Sequence, residues 1–194
     1  GSEMCIRDRN KEFVKFHSGK PLKNIAITVN SKIIKGEALV TDYGLEGNAI
    51  YPSVPEIRNS MNQGIKPLIS IDFKPNSNLE QLIRKLPNIV KTKDYQKIFN
   101  LNQVEFSLLK GYTNREEFIR PKVFVKKIKC LKIPIEGLRP IDEAISTVGG
   151  VAVDELSEDF SVKKYPNYYV AGEMIDWDAP TGGFLLQGCF STGY

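Results

Sequence analysis

The charge of this chain changes sign near residue 130, and this change constrains its folding more than any other feature. Residues 10–130 carry 21 Lys and Arg against 11 Asp and Glu, whereas residues 131–194 carry 4 against 10. At 194 residues, the chain is long enough for one or two ordinary domains. The asymmetry therefore predicts two structural units, a basic one over 10–130 and an acidic one over 131–194.

Composition excludes several classes of protein. Hydrophobic residues make up 41% of the chain and aromatic residues 10%, so intrinsic disorder is not expected. No apolar run reaches the roughly 18 residues of a membrane span, and no membrane association is expected. The single histidine, His17, excludes chemistry that needs two imidazoles and argues against a Ser-His-Asp triad. His17 is expected to be a structural or solvent-facing residue.

The cysteines predict neither a disulfide framework nor a zinc site. Cys5, Cys130 and Cys189 form no Cys-x-x-Cys pair, and no metal site is expected. We expect Cys130, at the start of a predicted strand, to be a small buried hydrophobe and Cys189 to pack on a helix. Scattered cysteines are compatible with a reducing cytoplasm, which is the location we expect.

The first nine residues show no periodicity and no signal-peptide core. Translated back to DNA, they match the end of a transposase adapter used in preparing sequencing libraries. We therefore expect residues 1–9 to be an artefact of sequencing, and the natural protein to continue upstream of Asn10.

The basic unit combines strand and helix patterns. Apolar runs predict strands over 24–29 and 31–34, joined by a tight turn at Asn30 and Ser31, and further strands over 37–41 and 68–73. Helices are predicted from Val54, after Ser77 as a cap, and over 95–99 and 104–110. The segment 122–129 (KVFVKKIK) alternates again and predicts another strand. These patterns indicate a mixed β-plus-helix domain.

The acidic unit opens with a predicted strand over 130–135 and has short strands predicted over 151–154 and 161–162. The apolar segment 168–171 (YYVA) predicts a buried strand, and a helix is predicted over 183–194. A strand, a glycine-rich turn and a helix in succession are typical of an α/β crossover.

The densest functional pattern lies in this crossover. The predicted strand delivers Gly172 and Glu173 at its carboxyl end, where open α/β sheets bind their ligands. Thr181, Gly182 and Gly183 precede the last helix, whose N-terminal amides favour an anion or an electron-rich carbonyl. The alternative from the residues alone is that Thr181 is a simple helix cap and the glycines form a tight turn.

Four segments resemble the YhiN/BaiN-type flavoproteins. AGEMIDWDAPTGGFLLQGCFSTG (171–193) and AISTVGGVAVDEL (144–156) are similar to the C-terminal flavin-domain signature of that family. GKPLKNIAITVN (19–30) and GEALVTDYGLEGNAIY (36–51) are similar to its inserted domain. The string GEMxDWxAPTGG is typical of one subgroup. Family members are identified as NAD(P)/FAD-dependent oxidoreductases, with an aminoacetone-oxidase-like branch.

The resemblance implies an α+β/α/β fold class. Residues 10–130 would be a mixed β-plus-helix insert domain, and residues 131–194 the C-terminal piece of a discontinuous Rossmann-like FAD domain. The family's GxGxxG fingerprint lies upstream of the insert, and this chain contains no such string. We therefore expect a fragment that lacks the N-terminal dinucleotide-binding half and is inactive alone.

The resemblance also implies a set of FAD-binding residues. Ala171, Gly172, Glu173 and Asp176 would lie beside the ribityl and pyrophosphate groups. The segment from Thr181 through Gly182, Gly183 and Phe184 would present a helix N-terminus to the flavin ring, where a positive dipole end stabilises anionic reduced flavin. Thr147, Gly149 and Gly150 would form a wall near the ring, and Trp177 would stack there or simply pack. NAD(P)H is a candidate hydride donor, and no catalytic acid or base is assigned.

The positive charge of the basic unit leaves a second function open. Lysines cluster at 122, 126, 127 and 129 and again at 91, 93 and 97, and a solvated face is the default interpretation. Binding of RNA or another polyanion would need these charges on one face, with exposed aromatics such as Phe124. The alternative function is therefore the binding of RNA or another polyanion by a basic insert domain. The bound polyanion would then be the substrate of a flavin-dependent reduction of a C=C bond.

Overall fold

The computed structural model describes residues 4–5, 16–144, 146–179 and 183–194, and the chain divides between Leu138 and Arg139 into two units. The strand predicted at the start of the acidic unit pairs inside the sheet of the first unit. The charge changes sign near Cys130, but the structural division, between Leu138 and Arg139, lies further along the chain.

The first unit is built on an antiparallel sheet. Its strands are β1 (Met4–Cys5), β2 (Pro21–Val29), β3 (Lys32–Val40), β4 (Gly44–Glu46), β5 (Leu68–Asp72), β6 (Leu131–Pro134) and β7 (Gly137–Leu138). In the described part of the chain they follow the order β6-β5-β2-β3-β4-β1-β7. Asn30 joins β2 to β3 at a φ of 51°, which confirms the predicted turn. The run at 37–41 continues β3 instead of forming a separate strand.

Six α-helices of the first unit lie wholly within the described residues. They are α1 (Val54–Asn62), α2 (Leu79–Arg84), α3 (Tyr95–Ile98), α4 (Gln103–Gly111), α5 (Arg115–Ile119) and α6 (Pro121–Lys129). Asparagine side chains cap α2, α4 and α5 by accepting an N–H from the first turn. The cap of α2 is Asn78 and not the predicted Ser77, since Asn78 Oδ1 accepts the Gln81 N–H.

The strand predicted over 122–129 is wrong, because this segment forms α6. Pro121 occupies the first helical turn, where its missing N–H costs nothing. Phe124, Val125 and Ile128 then form one buried stripe at helical spacing. The Phe124 ring stacks on Tyr95 with centroids 4.2 Å apart. The sequence pattern fits both the strand and the helix period, and this tertiary packing selects the helix.

Two residue-level expectations are corrected in the same region. Phe124 is fully buried and therefore offers no exposed ring to a nucleic acid. Cys130 follows the end of α6 and is exposed, with its Sγ 3.0 Å from Ser70 Oγ, so it is not a buried hydrophobe. His17, by contrast, is buried.

The second unit has short elements. It contains β8 (Ser161–Val162), β9 (Tyr165–Tyr169) and α7 (Gly183–Gly193), with 3-10 turns at Ile141–Glu143, Val153–Glu155 and Gly172–Met174. The strands predicted at 161–162 and the helix predicted from Gly183 are confirmed. At 151–154 there is a single bridge residue, Val151, followed by a 3-10 turn.

The buried strand predicted over 168–171 is wrong. Tyr168 and Tyr169 end β9 and are 69% and 63% exposed, and only Val170 after them is buried. β9 pairs antiparallel with β8 in a two-stranded ribbon, and neither face of β9 is covered. The buried strand expected before α7 in an α/β crossover is therefore not formed by this segment.

Among the helices of the described residues, none combines the length and the apolar character needed to cross a membrane.

Candidate functional site

Two glycine-containing segments of the second unit lie side by side. The Val151 N–H donates to Met174 O over 2.9 Å, and the Asp176 N–H donates to Val151 O over 2.8 Å. A Cβ on Gly150 would lie 2.4 Å from Met174 O, so only glycine permits this approach. The structure thus brings Gly150 next to the 3-10 turn Gly172–Met174.

Glu173 ties the same two segments together through its side chain. Its Oε2 accepts the backbone N–H of Thr147 at 3.3 Å. Its other oxygen, Oε1, accepts no hydrogen bond from the described residues, and the side chain is half-buried. One carboxylate oxygen is therefore available to a ligand that carries hydroxyl groups.

Open space adjoins two of the glycines implied by the resemblance. A Cβ built on Gly149, where φ is 104°, or on Gly183 would meet no atom of the described residues within 4 Å. Ligand atoms can therefore approach both backbones closely. Asp176 and Phe184 are exposed and Ala171 is half-buried, while Thr181 and Gly182 lie outside the described residues.

Helix α7 rests on the turn Gly172–Met174 through its second half. A Cβ on Gly172 would lie 2.8 Å from Cys189 Sγ, and a Cβ on Gly188 would lie 2.4 Å from the Trp177 ring. Cys189 lies six positions after Gly183, which is about 9 Å along a helix axis. A ligand that reaches both Glu173 and the start of α7 must therefore be elongated.

The hydrogen bonds that hold Gly172 were not predicted from the sequence. Its N–H donates to Thr192 Oγ1 at 2.7 Å, and its carbonyl accepts the indole N–H of Trp177 at 2.9 Å. Trp177 therefore packs and hydrogen-bonds inside the unit, as the packing alternative predicts. The spacing of Gly188 and Thr192, four residues apart on one helix face, is the signal that points to this contact.

A separate cavity of about 450 Å³ opens in the second unit. Its lining is mostly apolar and includes Leu156, Phe160, Ile175 and Trp177; apart from Trp177, it contains none of the residues that the resemblance implies for FAD. Phe160 adopts a φ of 61°, unusual for a large side chain. In the adjoining turn, hydrogen bonds from the Ser161 hydroxyl and N–H lower the pKa of Asp159.

Comparison with known proteins identifies a relative and a family. The chain is 25% identical over 174 residues to a 3-dehydro-bile acid delta(4,6)-reductase of Clostridium scindens. The aligned region covers 82% of this chain and 42% of that reductase, so the chain spans less than half of its relative's length. The family model described as "HI0933-like protein Rossmann domain" matches residues 11–194. The chain therefore belongs to the HI0933-like Rossmann-domain family.

Proposed function

We propose that this chain is part of an FAD-dependent oxidoreductase, in which the second unit, residues 139–194, completes the FAD domain and the first unit forms an insert domain. The main support for this proposal is that Glu173 joins the two glycine-containing segments and still has one carboxylate oxygen available to a ligand. The relative is named a reductase, which agrees with a redox function.

The residues present fit an FAD molecule. The backbones of Gly149 and Gly183 would admit a flat ring or a phosphate, and Glu173 Oε1 would accept a hydrogen bond from a ribityl or ribose hydroxyl. FAD is elongated, as a ligand reaching from Glu173 to the start of α7 has to be. When bound, FAD supplies hydride transfer, and NAD(P)H is the donor we propose.

The chain's own residues have three tasks in this proposal. Glu173 orients a hydroxyl group and holds Thr147 in place. Gly149 and Gly150 allow the backbone to approach the ring. The first turn of α7 would direct its N–H groups, and a partial positive charge, toward the flavin ring, which becomes negative on reduction.

Exposed apolar side chains support the proposal that more protein completes this domain. Phe184 and Phe190 on α7 are 70% and 71% exposed. Such side chains in one short unit are typical of a surface that another segment covers. We propose that the segment is the dinucleotide-binding half, and that residues 10–194 alone do not hold FAD tightly.

Flavin content tests both parts of the proposal. We expect the uninterrupted gene to yield a yellow protein with stoichiometric FAD, and residues 10–194 to yield a colourless one. A full protein that neither contains nor takes up FAD would contradict the cofactor assignment. Stoichiometric flavin on residues 10–194 would contradict the fragment assignment.

Glu173→Gln gives a site-specific test in the full protein. Loss of a charged acceptor is expected to weaken FAD binding by about tenfold or more. Glu155→Gln is the matched control, because Glu155 is an exposed acidic residue of the same unit outside the site. Equal FAD affinity in the two variants would remove Glu173 from the site.

The polyanion alternative gains no support from the described residues. Phe124 is buried, Lys127 pairs with Glu117 at 3.0 Å, and Lys129 pairs with Asp72 at 2.6 Å. Binding of RNA stays a prediction from charge alone. Affinity measured against salt concentration tests it, since a flat log–log plot would reject contacts to phosphates.

A further inference from the structure

Gly172 is held through both of its backbone polar groups. Its N–H donates to Thr192 Oγ1 and its carbonyl accepts from Trp177 Nε1, at 2.7 and 2.9 Å. The carbonyl also accepts the Ile175 N–H at 3.2 Å. These groups are therefore occupied inside the unit, and Gly172 itself is buried with a φ of 60°.

The same contacts fix how α7 lies on the turn. Thr192 Oγ1 also donates to Gly188 O at 2.8 Å, so one hydroxyl joins the helix to the turn. Gly188 receives the Trp177 ring where a Cβ would lie 2.4 Å away, and Cys189 fills the space beside Gly172. Because each helical residue turns by about 100°, a shift of α7 by one residue would break all of these contacts.

The two ends of the proposed FAD site lie on the two elements that these contacts join. Glu173 follows Gly172 directly on the turn, whereas the N-terminal amides belong to α7. The interaction of a helix dipole with a nearby charge falls off within the first turn. The placement of α7 along its axis therefore matters for any charge that develops at its N-terminus.

We propose that Trp177 and Thr192 are positioning residues for the flavin. They fix the register of α7 against the turn Gly172–Met174, and so set the separation between the Glu173 carboxylate and the helix N-terminus. They act through Gly172 and the helix. This inference rests on the proposed function, because it assigns these residues a role toward FAD.

Three substitutions separate this role from simple packing. Thr192→Val keeps the shape of the side chain but removes its hydroxyl, and Thr192→Ser keeps the hydroxyl. Trp177→Phe keeps an aromatic ring but removes the indole N–H. Ser191→Ala is the matched control, because Ser191 is exposed on the same helix and, among the described residues, its hydroxyl accepts from Gln187 alone.

The holoenzyme from the uninterrupted gene is measured in two ways: the FAD dissociation constant and the midpoint potential of the bound flavin. We expect Thr192→Val and Trp177→Phe to weaken FAD binding about tenfold, the effect of one lost buried hydrogen bond. Both are expected to shift the midpoint potential, whereas Thr192→Ser and Ser191→Ala keep wild-type values.

Hydrogen exchange at the Gly172 amide provides a readout that needs no flavin. We expect faster exchange in Thr192→Val and wild-type protection in Thr192→Ser. If exchange accelerates while affinity and potential stay unchanged, the positioning role is overturned and the contact is structural only. Unchanged exchange in Thr192→Val would also overturn it, since the hydroxyl would not hold the turn.

The outcomes distinguish this inference from the proposed function. A wild-type protein without flavin overturns the proposed function, and the positioning role with it. A flavin-loaded wild type with insensitive variants overturns the positioning role alone. If Thr192→Val does not fold, Trp177→Phe is judged by the same affinity and potential measurements.

Discussion

At the scale of single residues, the second unit depends on positions where a side chain would not fit. Gly172 combines a left-handed φ of 60° with a neighbouring Sγ that lies 2.8 Å from where its Cβ would be. Gly149 shares the left-handed conformation, at a φ of 104°, but faces open space. A side chain at Gly172 would therefore meet both backbone strain and steric overlap, whereas one at Gly149 would meet the strain alone.

Gly172→Ala is expected to lower the free energy of unfolding of the second unit by about 3 kcal/mol, from left-handed strain plus overpacking. Gly149→Ala should cost about 1–2 kcal/mol, from the strain alone. Urea unfolding followed by Trp177 fluorescence measures both, since Trp177 is the only tryptophan in the sequence.

The double variant Gly172→Ala with Cys189→Ala checks the cause. Removing Sγ relieves the nearest contact, so the combined loss should be smaller than the sum of the two single losses. Strict additivity would show that the thiol is not what excludes a side chain at Gly172.

His17 makes the stability of the first unit depend on pH. Burial, and secondarily the positive charge of Lys20, lower the pKa of His17 below its ordinary value of 6.5. The unfolded chain then takes up a proton at a higher pH than the folded chain does. The stability from neutral His17 is fully present above about pH 6.5 and is lost as the pH falls below it.

We therefore expect the urea midpoint of the first unit, followed by far-UV circular dichroism, to fall between about pH 7.5 and 5.5. His17→Gln keeps a polar side chain that does not titrate and should flatten this dependence. If wild type and His17→Gln lose stability in parallel, the effect comes from other groups.

At the scale of elements, a lysine in the last turn of α6 links this helix to the sheet. Lys129 Nζ lies 2.6 Å from Asp72 Oδ2 on β5 and donates to Lys74 O and Ser77 O at 2.8 and 2.6 Å. The side chain is 20% exposed, so these bonds form largely away from water. All three donor hydrogens of the ammonium group are thus used.

Lys129→Met should destabilise the first unit by about 2–3 kcal/mol, because Asp72 and two carbonyls lose their partner in a partly buried place. Lys126→Met is the matched control on the same helix, where the lysine is exposed, and should change stability by less than about 0.5 kcal/mol. Equal effects of the two substitutions would show that Lys129 does not stabilise the link between α6 and the sheet.

These elements also show how far sequence patterns reach. The strand at 68–73 and the helices from Val54 and over 104–110 were predictable, because each pattern fits one period only. The segment forming α6 was not, because its apolar residues fit both periods until Phe124 packs against Tyr95. For the site, the resemblance implied both Thr147 and Glu173 as FAD-binding residues but not the hydrogen bond between them, and no local pattern specifies the partner of the Trp177 indole.

At the scale of the whole molecule, the two units differ in how much core they contain. The first buries large side chains from its strands and helices, among them Tyr95, Phe73 and Ile27. The core of the second consists of Leu156, Val170 and Ile175, with partly buried neighbours such as Phe160 and Trp177. A unit this small rarely gains more than about 3–5 kcal/mol from its core.

We therefore expect the intact chain to unfold in two steps. Trp177 fluorescence reports the second unit and should change at lower urea than far-UV circular dichroism, which the first unit dominates. A chain of residues 3–138 should keep the later transition with an unchanged midpoint, whereas residues 139–194 alone should bind a hydrophobic dye and unfold without a sharp transition. Coincident transitions in the intact chain would mean instead that the units fold as one, and the small core would then owe its stability to the first unit.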